Sequence, residues 1–186
     1  MQSDTLQNAF EQLVAGLTPH YGKGEARSIA RIVLEDEFGA RQPAKKALTG
    51  SETARFQEIY RRLLQGEPVQ YVLGQADFYG LKFTVTPAVL IPRQETEELV
   101  AWILDWLDKT SGHQAAVLDI GLGSGCIAVT LKAKRPGIQL FGLEKSAAAL
   151  EIAVANARRI LPGADFSFLA GDILDQQIGD LFRSWM

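Results

Sequence analysis

Apolar residues recur at helical intervals through the first part of the chain. Leu6, Phe10, Leu13, Val14 and Leu17 fall on one face and predict a first amphipathic helix. A second stripe, Ile29, Ala30, Val33, Leu34 and Phe38, stops at Gly39, a residue suited to closing a helix. A third, Phe56, Ile59, Tyr60, Leu63 and Leu64, is predicted to start from Ser51 as N-cap. Helices this short are marginal alone in water, so they are expected to bury their stripes against one another as a bundle.

The pattern changes at Pro68. Gln70-Tyr71-Val72-Leu73-Gly74 leads into Asp77-Phe78-Tyr79-Gly80-Leu81-Lys82-Phe83-Thr84-Val85, aromatic and β-branched residues around a glycine turn, which predicts a β-hairpin linker. Leu90 to Glu97 then opens a helix with the apolar face Leu99, Val100, Ile103, Leu104 and Leu107. Trp102 and Trp106 lie beside that face and are expected in the core. After Ser111-Gly112 the chain alternates: strand 117–120, helix from Ser124, strand 139–143, helix 146–160, strand 166–169. That βαβαβ order predicts a parallel sheet wrapped by helices. The expected division is a helical domain over 1–72, a hairpin linker over 73–90 and an α/β domain over 91–186.

Composition narrows the chemistry. The 186 residues are 47% hydrophobic and 22% charged, enough for a sizeable core. No apolar run reaches the length of a membrane span, and no cleavable leader pattern opens the chain, so the expected location is cytoplasmic with no membrane partner. One cysteine, Cys126, rules out an intrachain disulfide, and with only His20 and His113 beside it no zinc site is expected. The net charge is −3, and residues 1–75 hold nine Lys/Arg against nine Asp/Glu, so no direct nucleic-acid binding is expected.

The strongest local signal is Val117-Leu118-Asp119-Ile120-Gly121-Leu122-Gly123-Ser124-Gly125, a strand running into three alternating glycines and a helix. Such glycines let backbone approach a ligand, and free N–H groups at the helix start favour an anionic group. A dinucleotide fingerprint requires G-x-G-x-x-G, but Cys126 occupies the last glycine position; the observed G-x-G-x-G suits S-adenosylmethionine better. Glu144 follows about 20 residues later at a strand end, where a carboxylate can accept from ribose hydroxyls. Asp172 ends the third strand, placed for an adenine edge, with Ile173 offering an apolar ring contact. Open α/β sheets bind ligands at the carboxyl ends of their strands, so these positions are expected to converge. Cys126 is read as a buried hydrophobe, and Arg93 as a possible i, i+4 partner of Glu97.

These residues resemble the release-factor glutamine methyltransferases, the HemK or PrmC family, along nearly the whole chain. Gln70 to Gly74, Phe78-Tyr79-Gly80 and above all Ile91-Pro92-Arg93-Gln94-Glu95-Thr96-Glu97 look like that family's linker and pre-sheet helix, and Asp119 to Ala128 looks like its cofactor loop. The resemblance implies an α/β fold: a small N-terminal helical bundle and the first half of a doubly wound, Rossmann-like class I methyltransferase domain. It implies transfer of a methyl group from S-adenosyl-L-methionine to the side-chain amide of the glutamine in the Gly-Gly-Gln motif of peptide chain release factors, docked by the bundle. By the same resemblance Gly121, Leu122, Gly123, Ser124 and Gly125 hold the methionine end, Glu144 the ribose, and Asp172 with Ile173 the adenine. Pro92, Arg93, Thr96 and Glu97 line a lid.

Three positions depart from the family pattern: Gln94 replaces a proline, Leu122 a small polar residue and Glu144 a shorter aspartate. The family's catalytic Asn-Pro-Pro-Tyr loop is expected soon after Asp172 and does not occur before Met186. No catalytic residue is therefore assigned, the chain is expected to be inactive alone, and its first strand is expected to leave an open edge suited to self-association. The rival readings are a nucleic-acid adenine-N6 methyltransferase, an NAD-dependent oxidoreductase and a non-catalytic release-factor binding fragment.

Overall fold

The computed structural model describes residues 5–110, 115–175 and 178; the Ser111-Gly112 break lies outside them. The chain divides into two compact units, 1–74 and 75–186.

In the first unit, helix α1 (Leu6–Phe38) carries both predicted stripes on one helical run that breaks at Gly22, where φ is 77° and ψ 161°. Leu6, Ala9, Leu13 and Leu17 are buried before the break, and Ile29, Ala30, Val33 and Leu34 after it. Gly39 closes α1 in the left-handed conformation. Helix α2 (Gly50–Leu64) is capped by Thr49, not by Ser51. The reason is reciprocity: Thr49 Oγ1 accepts the Glu52 N–H at 3.2 Å, while Glu52 Oε2 accepts the Thr49 N–H at 2.8 Å. Ser51 has only Ala54 three positions on. Phe56, Ile59 and Leu63 then join the α1 residues in one apolar cluster.

Residues read as the approach to the hairpin form instead a short helix, α3 (Val69–Leu73). Val69 and Val72, spaced for one helical face, are buried in the same cluster. The Arg62 guanidinium, paired with Glu67, donates to the carbonyls of Tyr71 (3.3 Å) and Val72 (3.1 Å), which the end of a helix would leave unsatisfied.

The second unit begins with β1 (Gln75–Phe78) and β2 (Leu81–Thr84), an antiparallel hairpin. Its two turn residues, Tyr79 and Gly80, both have positive φ, 51° and 76°, the pairing that matches strand twist in a two-residue turn. Helix α4 (Glu95–Thr110) buries Val100, Leu104 and Leu107. Trp102 and Trp106, expected in the core, are 69% and 57% exposed. Two and six residues beyond Val100, they lie on the far side of a helix that turns about 100° per residue.

Strands β3 (Ala116–Ile120), β4 (Gln139–Glu144) and β5 (Ser167–Ala170) form a parallel sheet in that order, with helix α5 (Cys126–Lys134) between the first two and α6 (Ala147–Ile160) between the last two. Helix α5 starts two residues later than Ser124. Val117, Leu140 and Phe168 pack with Leu122, Ala128 and Ala153 in one cluster. Leu118 and Ile120, pointing the other way, stay 42% and 50% exposed. Among the described residues β3 pairs only with β4, and no helix is long and apolar enough to cross a membrane.

Candidate functional site

The carboxyl ends of the three parallel strands meet at the glycine loop. The Gly121 N–H donates to the Leu143 carbonyl at 2.8 Å, and the Gly171 N–H to the Glu144 carbonyl at 3.0 Å, so residues 121–125, 144 and 171–172 are laced together by backbone. Asp172 Oδ2 pairs with Lys145 Nζ at 2.8 Å, and Oδ1 accepts the Leu174 N–H at 3.0 Å. The lysine beside it holds the Asp172 carboxyl below its ordinary range. Ile173 is 40% exposed next to it.

Glu144 does what a longer acid at a strand end can do. Its side chain folds back, Oε2 accepting the Gly123 N–H at 2.9 Å and Oε1 the Ser146 N–H at 2.8 Å. Each carboxylate oxygen accepts one bond here and has capacity for a second. The arrangement therefore still fits a pair of hydroxyl donors.

The three glycines differ in what surrounds them. Gly121 and Gly123 have positive φ, 85° and 54°, and a Cβ on either would meet nothing within 4 Å. Open space above the backbone at these two positions leaves room for a ligand to approach it. A Cβ on Gly125 would instead press on Ala153 Cβ at 3.3 Å and Val129 Cγ2 at 3.4 Å, so this glycine also lets α6 approach α5. The Leu122 side chain is only 4% exposed and belongs to the core cluster, which leaves its backbone alone to face a ligand. Ser124 Oγ is buried without a hydrogen bond of ordinary geometry; its polar neighbour is the Cys126 thiol, which burial pushes up.

At the start of α4, Glu97 is engaged elsewhere. Glu97 Oε1 accepts the Tyr79 N–H at 2.8 Å, holding the hairpin turn, and no ion pair joins it to Arg93 among the described residues. Arg93 is exposed; Pro92 and Thr96 are half-buried. No hydrogen bond among the described residues ties these four to the glycine loop. A separate cleft of about 390 Å³, lined by Lys132, Ile138, Asp165 and Ser167, lies at the opposite ends of β4 and β5. Ligands of open parallel sheets sit at the carboxyl ends, so that cleft is not the candidate site.

Three residues escaped the sequence reading. Asp119, at the end of β3, is mostly buried, and burial raises its carboxyl, with the Glu144 charge adding to the effect and the Ala128 backbone opposing it. Gly142 lies beneath Leu122, and Lys145 pairs with Asp172. Asp119 lies two residues before the first loop glycine and was legible; the other two depend on contacts between segments distant in the sequence.

Residues 6–74 match the PrmC N-terminal domain and residues 93–181 the methyltransferase small domain. The chain is 34% identical to the release factor glutamine methyltransferase of Flavobacterium psychrophilum, over 92% of this chain and 62% of that protein. The chain belongs to the release-factor glutamine methyltransferase family. Other members are 43% identical over 70% of the chain, from Koribacter versatilis, and 40% identical over 77%, from Burkholderia pseudomallei. The chain spans about half the length of these two relatives, 45% and 53%. Among solved structures, a coclaurine N-methyltransferase matches 88% of this chain and 48% of its own at 16% identity with a TM-score of 0.34. A protein-L-isoaspartate O-methyltransferase matches 62% and 37% at 22% identity, also with 0.34.

Proposed function

We propose that this chain carries the S-adenosylmethionine site and the substrate-docking domain of a protein that methylates the side-chain amide of the Gly-Gly-Gln glutamine in peptide chain release factors. The observation that carries this reading is the loop 121–125 closed on Glu144, with open space at Gly121 and Gly123, in a chain whose residues 6–74 match the PrmC N-terminal domain. The bound cofactor would supply an electrophilic methyl group on sulfur. The glycine loop and the start of α5 would face its carboxylate end. Glu144 would accept from the ribose hydroxyls with its remaining lone pairs, and Asp172, kept ionised by Lys145, would accept from the adenine amino group. Pro92, Arg93, Thr96 and Glu97 would border the site as a lid, and the helical unit would dock the release factor, in the expected division 1–72, 73–90 and 91–186.

An amide nitrogen is a weak nucleophile and depends on positioning. The family resemblance assigns that task to an Asn-Pro-Pro-Tyr segment, so the residues named above are proposed to hold the cofactor and none of them is given the catalytic role. Calorimetric titration with S-adenosylhomocysteine and with NAD tests the site: one-to-one binding of the first alone is expected, and preference for NAD would overturn the reading. Pull-down of a release factor by the chain, set against binding to DNA, tests the partner.

A further inference from the structure

We infer that Asn156, on α6, is a positioning residue that fixes the glycine loop and couples it to the hairpin β1–β2. The inference rests on the proposed cofactor site and names a residue outside it.

Asn156 is fully buried. Its Nδ2 donates to the Ser124 carbonyl at 2.9 Å and to the Thr84 carbonyl at 2.9 Å, and its Oδ1 accepts the Thr84 N–H at 2.8 Å and Arg159 Nη2 at 3.1 Å. A primary amide offers two donors and two acceptor sites, and all four are used. The partners also fix the orientation, since two carbonyls demand the NH₂ and two N–H donors demand the oxygen. Toward Thr84 the side chain behaves as a neighbouring strand would, exchanging both bonds with one residue. Arg159, three positions on, adds a second grip on β2 through the Lys82 carbonyl at 2.6 Å.

The consequence for the loop follows from peptide geometry. In a trans, planar peptide the C=O and the next N–H point in opposite directions. With the Ser124 carbonyl held by Asn156, the Gly125 N–H is turned to the Leu122 carbonyl, which it meets at 2.7 Å. One side chain thus sets the peptide plane between the second and third loop glycines. The same side chain holds Thr84, the last residue of a hairpin that lies 40 positions earlier in the sequence. Strain on either element is transmitted to the other through a single rigid amide.

Amide hydrogen exchange on the whole chain tests this. In the unmodified protein, S-adenosylhomocysteine is expected to slow exchange at Thr84 at least severalfold, together with Gly125; protection confined to the loop would overturn the coupling. Asn156→Asp, similar in shape but unable to donate while ionised, and Asn156→Ala should weaken S-adenosylhomocysteine binding about 10- to 100-fold. A core control, Leu131→Ala, should lower stability without changing the affinity of the folded protein. Variants that fold and bind within twofold of the unmodified chain would overturn the inference. If the unmodified chain binds no S-adenosylhomocysteine, the cofactor reading fails by itself. The coupling is then judged on the free protein, where Asn156→Asp should speed exchange at Thr84 and Gly125 together, and faster exchange at only one of them would overturn it.

Discussion

Gly142→Ala is the sharpest test of how the glycine loop is supported. A Cβ at this position would lie 2.7 Å from both terminal methyls of Leu122 and 2.8 Å from Phe168 Cδ1. Carbon atoms rest at about 3.5–4.0 Å, so relief requires a displacement near 1 Å in a packed cluster, more than one rotamer well absorbs. Overpacking of this kind destabilises by about 1–3 kcal/mol. Leu122 belongs to the glycine loop, so its movement should also carry the Gly123 N–H off Glu144 and weaken S-adenosylhomocysteine binding by about tenfold, or 1.4 kcal/mol. Leu122→Ala alone removes a nearly buried side chain and should destabilise by about 2–4 kcal/mol. In the double variant the new methyl occupies part of the vacated volume, although the Phe168 contact persists. Urea unfolding should therefore find the pair at least about 1 kcal/mol less destabilised than the sum of the singles. Additivity within about 0.5 kcal/mol would refute the claim that Leu122 and Gly142 form one packing unit.

Other outcomes follow from single contacts. Glu144→Asp, although it restores the acid usual in the family, shortens the reach by one methylene and should weaken S-adenosylhomocysteine binding, because both backbone N–H bonds are built for the longer side chain; tighter binding by calorimetry would contradict this. Thr49→Ala removes one half of a capping box and should lower stability by about 1 kcal/mol in urea unfolding, whereas Ser51→Ala should change little. Asp119 has a raised folded-state pKa, so between its unfolded value and the raised one the folded chain binds more protons, and stability falls as pH rises through that window. Asp119→Asn should accordingly raise the melting temperature at neutral pH and lose that advantage in acid; a gain independent of pH would contradict burial as the cause. Replacing Leu118 and Ile120, half-exposed on β3, with serine should reduce concentration-dependent self-association in sedimentation velocity.

Much of this was legible because it is local. Helical stripes, the Gly39 stop, a glycine-centred hairpin turn and the strand–glycine–helix junction each declare themselves within a few residues. What was misread depended on a choice the local pattern leaves open. Val69 and Val72 serve equally in a strand or in one turn of helix, and Arg62, far along α2, supplies the carbonyl partners that decide for helix. The tryptophans were placed in the core as neighbours of the apolar face, but their angular position turns them away from Val100. Ser51 is as good a capping residue as Thr49 until the acid three positions later is counted. Spacing predicts that residues 121–125, 144 and 172 converge at the strand ends, but not the bonds they make: that Glu144 would turn onto Gly123 requires knowing that the loop's N–H points at it.

Those bonds change how two of the departures from the family pattern, Leu122 and Glu144, are understood. A leucine in the glycine loop and a long acid at the end of β4 each look like a loss for cofactor binding when taken singly. Together they form a different support for the same loop: Leu122 anchors it from below against a strand glycine that leaves room for it, and Glu144 spans the extra distance to hold Gly123. Gly142 makes the first possible, since any larger residue would expel the leucine, and the added methylene of glutamate makes the second possible. The loop is thus held at Leu122 by its own side chain, at Gly123 by Glu144 and at Ser124 by Asn156. A loop held at successive residues retains little freedom to lose when a ligand arrives, and such preorganisation favours tight binding of a small molecule whose contacts are mostly to backbone.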